Sequence, residues 1–121
     1  MAVLVACLST GKGTWGHVSR LLEGMDGEKW NKVFLITNEY GKENFKTQPG
    51  VELIQVHEMS GIQELREEIK TALKDAVGNE EVAVNFVSGA GREHMALMSA
   101  LMQLGVGFRL VAVTKDGVKE I

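Results

Sequence analysis

Two glycine-containing turns carry the residues of this sequence that are best suited to binding an anion. The first turn runs from Ser9 to Gly16 and the second from Ser88 to Glu93. Each combines hydroxyl, glycine and basic residues, and each comes just before a predicted helix. Free N–H groups and the helix dipole favour a phosphate or another anion at such a helix start. Together the two turns predict a site for a phosphorylated ligand.

The candidate binding groups are hydroxyls that can donate hydrogen bonds, glycines that permit close backbone approach, and basic, amide and imidazole side chains. The predicted ligand-binding residues are Ser9, Thr10, Gly11, Lys12, Gly13, Asn85, Ser88, Gly89, Gly91, Arg92 and His94. The alternative for the first turn is a capped glycine turn with a solvated lysine.

Structural roles are open alternatives for several of these polar residues. Asn85 interrupts an apolar run, where an unpaired amide is costly, so it bonds either a neighbouring loop or a ligand. Arg92 opposes the dipole at the start of a helix, which indicates either an anionic partner or an ion pair with Glu93. His17 and His94 each lie early in a helix and suit ligand contact, acid–base chemistry or a structural bond.

The first turn is a near match to two phosphate-binding motifs. Gly11 to Thr14 resembles a P-loop, but that motif requires a glycine where Ala6 stands and Ser or Thr directly after the lysine, where Gly13 stands. A Walker-type ATPase is therefore disfavoured. Gly11, Gly13 and Gly16 also reproduce the letters of a dinucleotide fingerprint, with Glu39 alone to serve as the ribose-binding acid. This interpretation, a dinucleotide-binding turn, stays open as an alternative.

Five short apolar runs are typical of strands buried on both faces of a parallel sheet. The predicted strands are Val3 to Leu8, Val33 to Ile36, Val51 to Val56, Val82 to Val87 and Phe108 to Val113, and a turn at Lys115 to Gly117 leads into an antiparallel strand from Val118 to Ile121. Alternation with helices requires right-handed crossovers. The sequence predicts one doubly wound, Rossmann-like α/β domain over residues 1–121, in which the first and fourth strands flank the switch point and their turns form one crevice.

The sequence patterns that predict the intervening helices are not equally clear. Helical spacing of apolar residues after Ser9 to Gly13 and after Ser60 predicts two firm helices, whereas Asn38 to Phe45 supports only a short one. The last helix is apolar around most of its circumference. Its stripe of Met95, Met98 and Met102 predicts a buried or self-associating helix.

Composition limits the class of protein. The 121 residues carry a formal charge of -3, which disfavours a general binder of duplex nucleic acid. No apolar stretch is long enough for a membrane helix, and the first eight residues do not form a secretory signal, so we expect a cytoplasmic protein. The single cysteine, Cys7, is expected in the core. No Cys/His/Asp cluster has metal-ligand spacing, so neither a metal nor a cofactor is expected.

The segment from Asn85 to Ala96 resembles the CRISPR-associated Rossmann-fold (CARF) sensor domains. Their corresponding segment has an apolar strand, Asn, then Ser/Thr-Gly-Gly-Thr-Lys/Arg, then a small apolar helix. The order of elements along nearly the whole chain is also similar, including the hydroxyl-containing first loop and the final hairpin. Two residues depart from the pattern: Ala90 interrupts the glycine pair, and Glu93 adds a negative charge.

The resemblance implies a homodimer that binds cyclic oligoadenylate across its interface. By position, Ser9, Thr10 and Gly11 would line one side of the site, and Ser88, Gly89, Gly91 and Arg92 the other. Some members also cleave the ligand without a metal, through attack of a ribose 2′-hydroxyl on the adjacent phosphate. Ser9, Lys12 and Arg92 would then be the catalytic residues.

Two other classes of function stay open. One is a small Rossmann-like enzyme that binds a mononucleotide or dinucleotide, which rests on fold analogy alone. The other is a dimeric interaction domain without a ligand, in which the glycine turns are only tight connections.

Overall fold

The computed structural model describes residues 2–9, 12–57 and 59–121, and it describes residues 12–14 by their backbone alone. The strands are Val3–Cys7 (β1), Lys32–Thr37 (β2), Val51–Gln55 (β3), Val82–Asn85 (β4), Phe108–Thr114 (β5) and Gly117–Glu120 (β6). The helices are Lys12–Leu21 (α1), Glu39–Asn44 (α2), Ile62–Leu73 (α3) and Gly91–Gln103 (α4). The predicted order of elements is confirmed.

One sheet holds the described strands in the order β3-β2-β1-β4-β5-β6. All neighbouring pairs are parallel except β5 and β6, which form the predicted antiparallel hairpin. The chain runs from β1 outward to β3 and then returns to the other side of β1 with β4, where Ala6 lies opposite Asn85. The doubly wound Rossmann-like fold is thus confirmed, and its switch point lies between β1 and β4.

The strand β1 supplies both layers of the core because its side chains alternate between the two faces of the sheet. Val3, Val5 and Cys7 pack on the side of α3 and α4, whereas Leu4 and Ala6 pack on the side of α1 and the hairpin. All five are buried. This explains why the sequence of β1 is a continuous apolar run with no polar alternation.

The helix α4 differs from its predicted packing. Its core side is made of Ala96, Leu97, Ala100 and Leu101, all at most 1% exposed. The methionines face outward instead: Met95 is 66% exposed, Met98 40% and Met102 69%. Of the two predicted alternatives, burial of this stripe within the single chain is therefore wrong, because Ala96, Leu97, Ala100 and Leu101 form the face of α4 that packs in the core. The other alternative, self-association through the stripe, stays a prediction.

The remaining differences are local. The fourth strand ends at Asn85 rather than Val87, since the backbone turns there, and α2 is only six residues long, as its weak sequence pattern predicted. Cys7 is buried as expected. Among the described residues, none of the helices combines the length and the apolar character that crossing a membrane requires.

Candidate functional site

A hydrogen bond joins the two turns at the carboxyl ends of β1 and β4. The backbone N–H of Ser9 donates to Oγ of Ser88 over 3.2 Å. Ser88 is only 1% exposed, and its carbonyl oxygen accepts a second bond from Nε2 of His94 at 2.8 Å. That bond requires a proton on Nε2, so the imidazole acts here as a donor. The structure therefore brings together the two turns that the sequence singled out.

Gly89 lets the second turn lie directly on β1. Its φ is +97°, a left-handed conformation that other residues adopt only with strain. A Cβ added there would lie 2.8 Å from Cβ of Cys7 and 3.2 Å from Nε2 of His94. Gly91 is different, because a Cβ at that position would meet nothing within 4 Å. Gly89 is thus required by geometry, and Gly91 is not.

Asn85 connects β4 to its neighbours just where the strand ends. It is 2% exposed, its Nδ2 donates to the carbonyl of Val111 at 2.8 Å, and its Oδ1 accepts from the N–H of Val87 at 3.1 Å. Of the two alternatives for this amide, the structure shows the one in which it bonds within the protein rather than to a ligand. The bond to Val87 also starts the turn that carries Ser88.

The start of α4 provides donors for an anion. Its N-cap residue is Ala90, which offers no side-chain hydrogen bond to the free N–H groups of the first turn. Arg92, half-buried in that same turn, donates from Nη1 to the carbonyl oxygen of Ser60 in the loop before α3. This bond holds the guanidinium at the end of the sheet, beside the start of α4.

The first turn is described in part. The carbonyl oxygen of Ser9 accepts from Nε1 of Trp15 at 2.7 Å, and the indole packs against the rings of Tyr40 and Phe45. Thr10, Gly11 and the side chain of Lys12 lie outside the described residues, and of Gly13 only its place in α1 is described.

Gly16 bears on the dinucleotide interpretation. The third glycine of that fingerprint normally allows the helix to pack closely on the strands. In this chain a Cβ at Gly16 would meet nothing within 4 Å. The close packing that gives the fingerprint its meaning is therefore missing at this position, and the letter match carries little weight.

A cleft of about 250 Å³ opens at the switch point. Its lining includes Cys7, Ser9, Thr37, Gly89, Arg92 and Glu93. Three of the predicted ligand-binding residues, Ser9, Gly89 and Arg92, thus meet at one cleft. The side chains of Asn85, Ser88 and His94 are instead bonded within the protein and support the turn behind it. A second cleft of about 400 Å³ adjoins the first and shares Asn38, Val56 and His57 with it.

His57, which was not among the predicted site residues, lines both clefts. Nδ1 of His57 lies 3.1 Å from Oε1 of Glu68, and its backbone N–H donates to Oε2 of the same carboxylate at 3.3 Å. The carboxylate orients the imidazole and leaves Nε2 for other contacts. No local spacing indicates this pair, because His57 follows β3 and Glu68 lies within α3.

The thiol of Cys7 lines the same cleft as Glu93. Burial, and secondly the charge of Glu93, raise the pKa of the Cys7 thiol from 9.0 to about 12. Cys7 therefore stays protonated at neutral pH and is not a reactive thiolate.

Comparison with known proteins defines the class of fold. No protein-family model matches the sequence, and no curated protein matches it either. A solved structure, protein VC1899 from Vibrio cholerae, superimposes with a TM-score of 0.63 at 15% sequence identity over 99% of this chain. The chain spans 33% of the length of that protein. At this identity the similarity establishes the Rossmann-like α/β fold.

Proposed function

We propose that this chain is a CARF-like sensor domain that binds cyclic oligoadenylate at the switch-point cleft. The observation that carries the proposal is the hydrogen bond from Ser9 to Ser88, which joins the two turns that resemble the ligand-binding loops of that family. Both turns follow strands that flank the switch point, where open α/β sheets bind their ligands.

The chemistry of the cleft suits a phosphodiester. The N–H groups at the start of α4 have no side-chain cap, and Arg92 lies beside them. A helix start and a guanidinium are both favourable partners for a phosphate. The overall charge of -3 does not oppose this, because binding depends on the local field of the cleft.

The size of the cleft supports a ligand shared between two copies of the chain. A volume of about 250 Å³ is smaller than the ~300 to 1,000 Å³ of sites that enclose a drug-sized molecule. A ring of several nucleotides is larger than a drug-sized molecule, so the cleft of one chain would contact only part of the ring. The exposed face of Met95, Met98 and Met102 on α4 is an apolar surface of the kind that homodimers bury.

For cleavage of the ligand, Ser9, Lys12 and Arg92 remain the proposed catalytic residues. Ser9 and Arg92 both line the cleft. Groups that stabilise the transition state for attack of a 2′-hydroxyl on the neighbouring phosphate would have to lie there. The cleft therefore supports either a sensor that only binds or one that also degrades its ligand.

The second candidate is a Rossmann-like enzyme that binds a mononucleotide or dinucleotide. The observation in its favour is that Glu39, the candidate ribose-binding acid, lines the adjoining 400 Å³ cleft. The open surroundings of Gly16 count against it.

A ligand panel tests the proposal. We would measure the melting temperature of the purified protein with cyclic tetra-adenylate, cyclic hexa-adenylate, AMP, ATP and NAD, and follow ligand integrity by chromatography. Ligand at 100 times its dissociation constant adds about 2.7 kcal/mol to the free energy of unfolding, so binding raises the melting temperature by several degrees. A shift with a cyclic oligoadenylate is the expected result. A shift with AMP, ATP or NAD alone would favour the second candidate, and no shift at all would favour an interaction domain without a ligand.

A further inference from the structure

One carboxylate oxygen in the cleft is shielded from solvent without a hydrogen bond. It is Oε2 of Glu93, which accepts a hydrogen bond from no group of the part of the chain that the structure describes. A buried acceptor left without a hydrogen bond destabilises the folded protein, and a charged acceptor does so more strongly. A negative charge in the first turn of α4 is favourable with the helix dipole, which explains the acidic residue but not the burial of its oxygen.

The neighbouring groups do not remove this cost. The hydroxyl of Thr37, which also lines the cleft, donates to the carbonyl oxygen of Leu8 at 3.0 Å. The thiol of Cys7 is a weak donor, and the charge of Glu93 acts on it strongly enough to contribute to its raised pKa. Glu93 lines the cleft together with Cys7 and Gly89, and its Oε2 is shielded from solvent there.

We propose that Glu93 determines ligand specificity by accepting a hydrogen bond from an N–H or O–H group of the bound ligand. The proposal rests on the proposed function, and it adds a donor requirement to a site otherwise suited to phosphates. An adenine nucleotide offers two such donors, the exocyclic amine of the base and the 2′-hydroxyl of the ribose. The phosphate would contact the start of α4 and Arg92, while one of these donors contacts Glu93.

This arrangement gives selectivity as well as affinity. An ionised carboxylate only accepts hydrogen bonds, so it rejects a ligand that presents another acceptor or an alkyl group at that point. Sites built to bond a ligand donor discriminate strongly against analogues that lack it, because the protein group is then left buried and unpaired. Glu93, which departs from the CARF pattern, is thus a residue that would distinguish this cleft from others of similar fold.

The experiment compares three ligands in three proteins. The ligands are the cyclic oligoadenylate that binds best, its 2′-deoxy analogue and its N6-dimethyl analogue. The proteins are the wild type, Glu93→Gln, and Glu81→Gln as a control that removes one negative charge near the amino end of β4, where Glu81 pairs with Arg109. Dissociation constants are measured by calorimetry, and circular dichroism confirms that each variant folds.

We expect one analogue to bind the wild type at least tenfold more weakly than the parent ligand, which corresponds to about 1.4 kcal/mol. The same analogue should bind Glu93→Gln as tightly as it binds the wild type. The control Glu81→Gln should bind all three ligands as the wild type does. The analogue that loses affinity identifies the donor as amine or hydroxyl.

Three results would overturn the role of Glu93, and only the last of them would also overturn the proposed function. If the parent ligand binds but both analogues and Glu93→Gln bind equally well, the role of Glu93 is overturned and the proposed function stands. If Glu93→Gln raises the melting temperature and changes no affinity, the residue is only a costly buried charge, which also overturns the proposal. If the parent ligand does not bind the wild type, both proposals fall.

Discussion

The N–H of Ser9 and the hydroxyl oxygen of Ser88 lie 3.2 Å apart although 79 positions separate them in the chain. The bond ties the turn after β1 to the turn after β4 at the point where the sheet reverses its direction of growth. Because Ser88 is also held by His94, the first turn, the second turn and the start of α4 form one hydrogen-bonded unit. A ligand at the cleft would meet this unit as a preformed surface.

Substitution of Ser88 by alanine should loosen this unit. The bond that Oγ of Ser88 accepts from the N–H of Ser9 would be lost, so we expect the free energy of unfolding to fall by about 0.5 to 1.5 kcal/mol. Urea denaturation measures the change. Ser19→Ala, on an exposed position of α1, is the control and should stay within about 0.5 kcal/mol of the wild type. Equal stabilities for Ser88→Ala and the wild type would show that the bond contributes nothing.

Two neighbouring glycines should respond oppositely to the same change. Gly89→Ala combines a positive φ with a Cβ only 2.8 Å from that of Cys7, and we expect a loss of at least about 2 kcal/mol. Gly91→Ala places its methyl group in open space at the start of α4 and should be neutral or stabilising by up to about 1 kcal/mol. Thermal and urea unfolding of both variants test this. A tolerated Gly89→Ala would mean that the turn does not lie on β1 as described.

Alkaline pH should destabilise the protein through Cys7. Its pKa is raised to about 12 in the folded chain, so between 9.0 and that value the unfolded thiol ionises while the native one remains protonated. Stability is therefore unaffected by this group below pH 9 and falls above it by about 1.4 kcal/mol per pH unit. Urea unfolding at pH 8, 9.5 and 10.5 should show a steeper decline for the wild type than for Cys7→Ala. Parallel declines would contradict the burial of this thiol.

The outward methionines of α4 give a test of self-association. If they form the face of the proposed homodimer, Met98→Glu should shift the protein from dimer to monomer in sedimentation equilibrium, because a charge at the centre of an apolar interface is costly to desolvate. Ile121→Glu changes an apolar residue that is 76% exposed at the end of the chain and should leave the mass unchanged. A wild-type protein that is monomeric at all concentrations would contradict the proposed homodimer.

The sequence predicted the fold because each buried strand is a distinct apolar run, and glycines separate these runs from the helices. It also identified Asn85, since a lone amide in such a run needs partners, and the structure supplies them from Val111 and Val87. The pairing of the two turns followed from the usual Rossmann-like strand order, in which the first and fourth strands flank the switch point.

Other features depend on distances that no local pattern encodes. The sequence left open whether the methionine face of α4 is buried or self-associating, because an apolar helix does not reveal which of its sides faces the core. In the structure the side with Ala96 and Ala100 faces the core. The contact of Gly89 with Cys7 and the pairing of His57 with Glu68 each join separate elements. The buried oxygen of Glu93 was likewise beyond prediction, because burial of a single atom depends on the three-dimensional packing around it.

Calorimetric titration of the wild type, Arg92→Ala and Arg109→Ala with cyclic oligoadenylate tests the central claim most directly. Arg109 pairs with Glu81 and Glu120 and does not line the cleft, so its loss controls for the removal of one positive charge. A charge-assisted hydrogen bond contributes about 1.5 to 3 kcal/mol. We therefore predict a dissociation constant that is ~10- to 100-fold larger for Arg92→Ala and unchanged for Arg109→Ala. Absence of binding to the wild type, or equal affinities for all three folded proteins, would contradict a ligand site at this cleft.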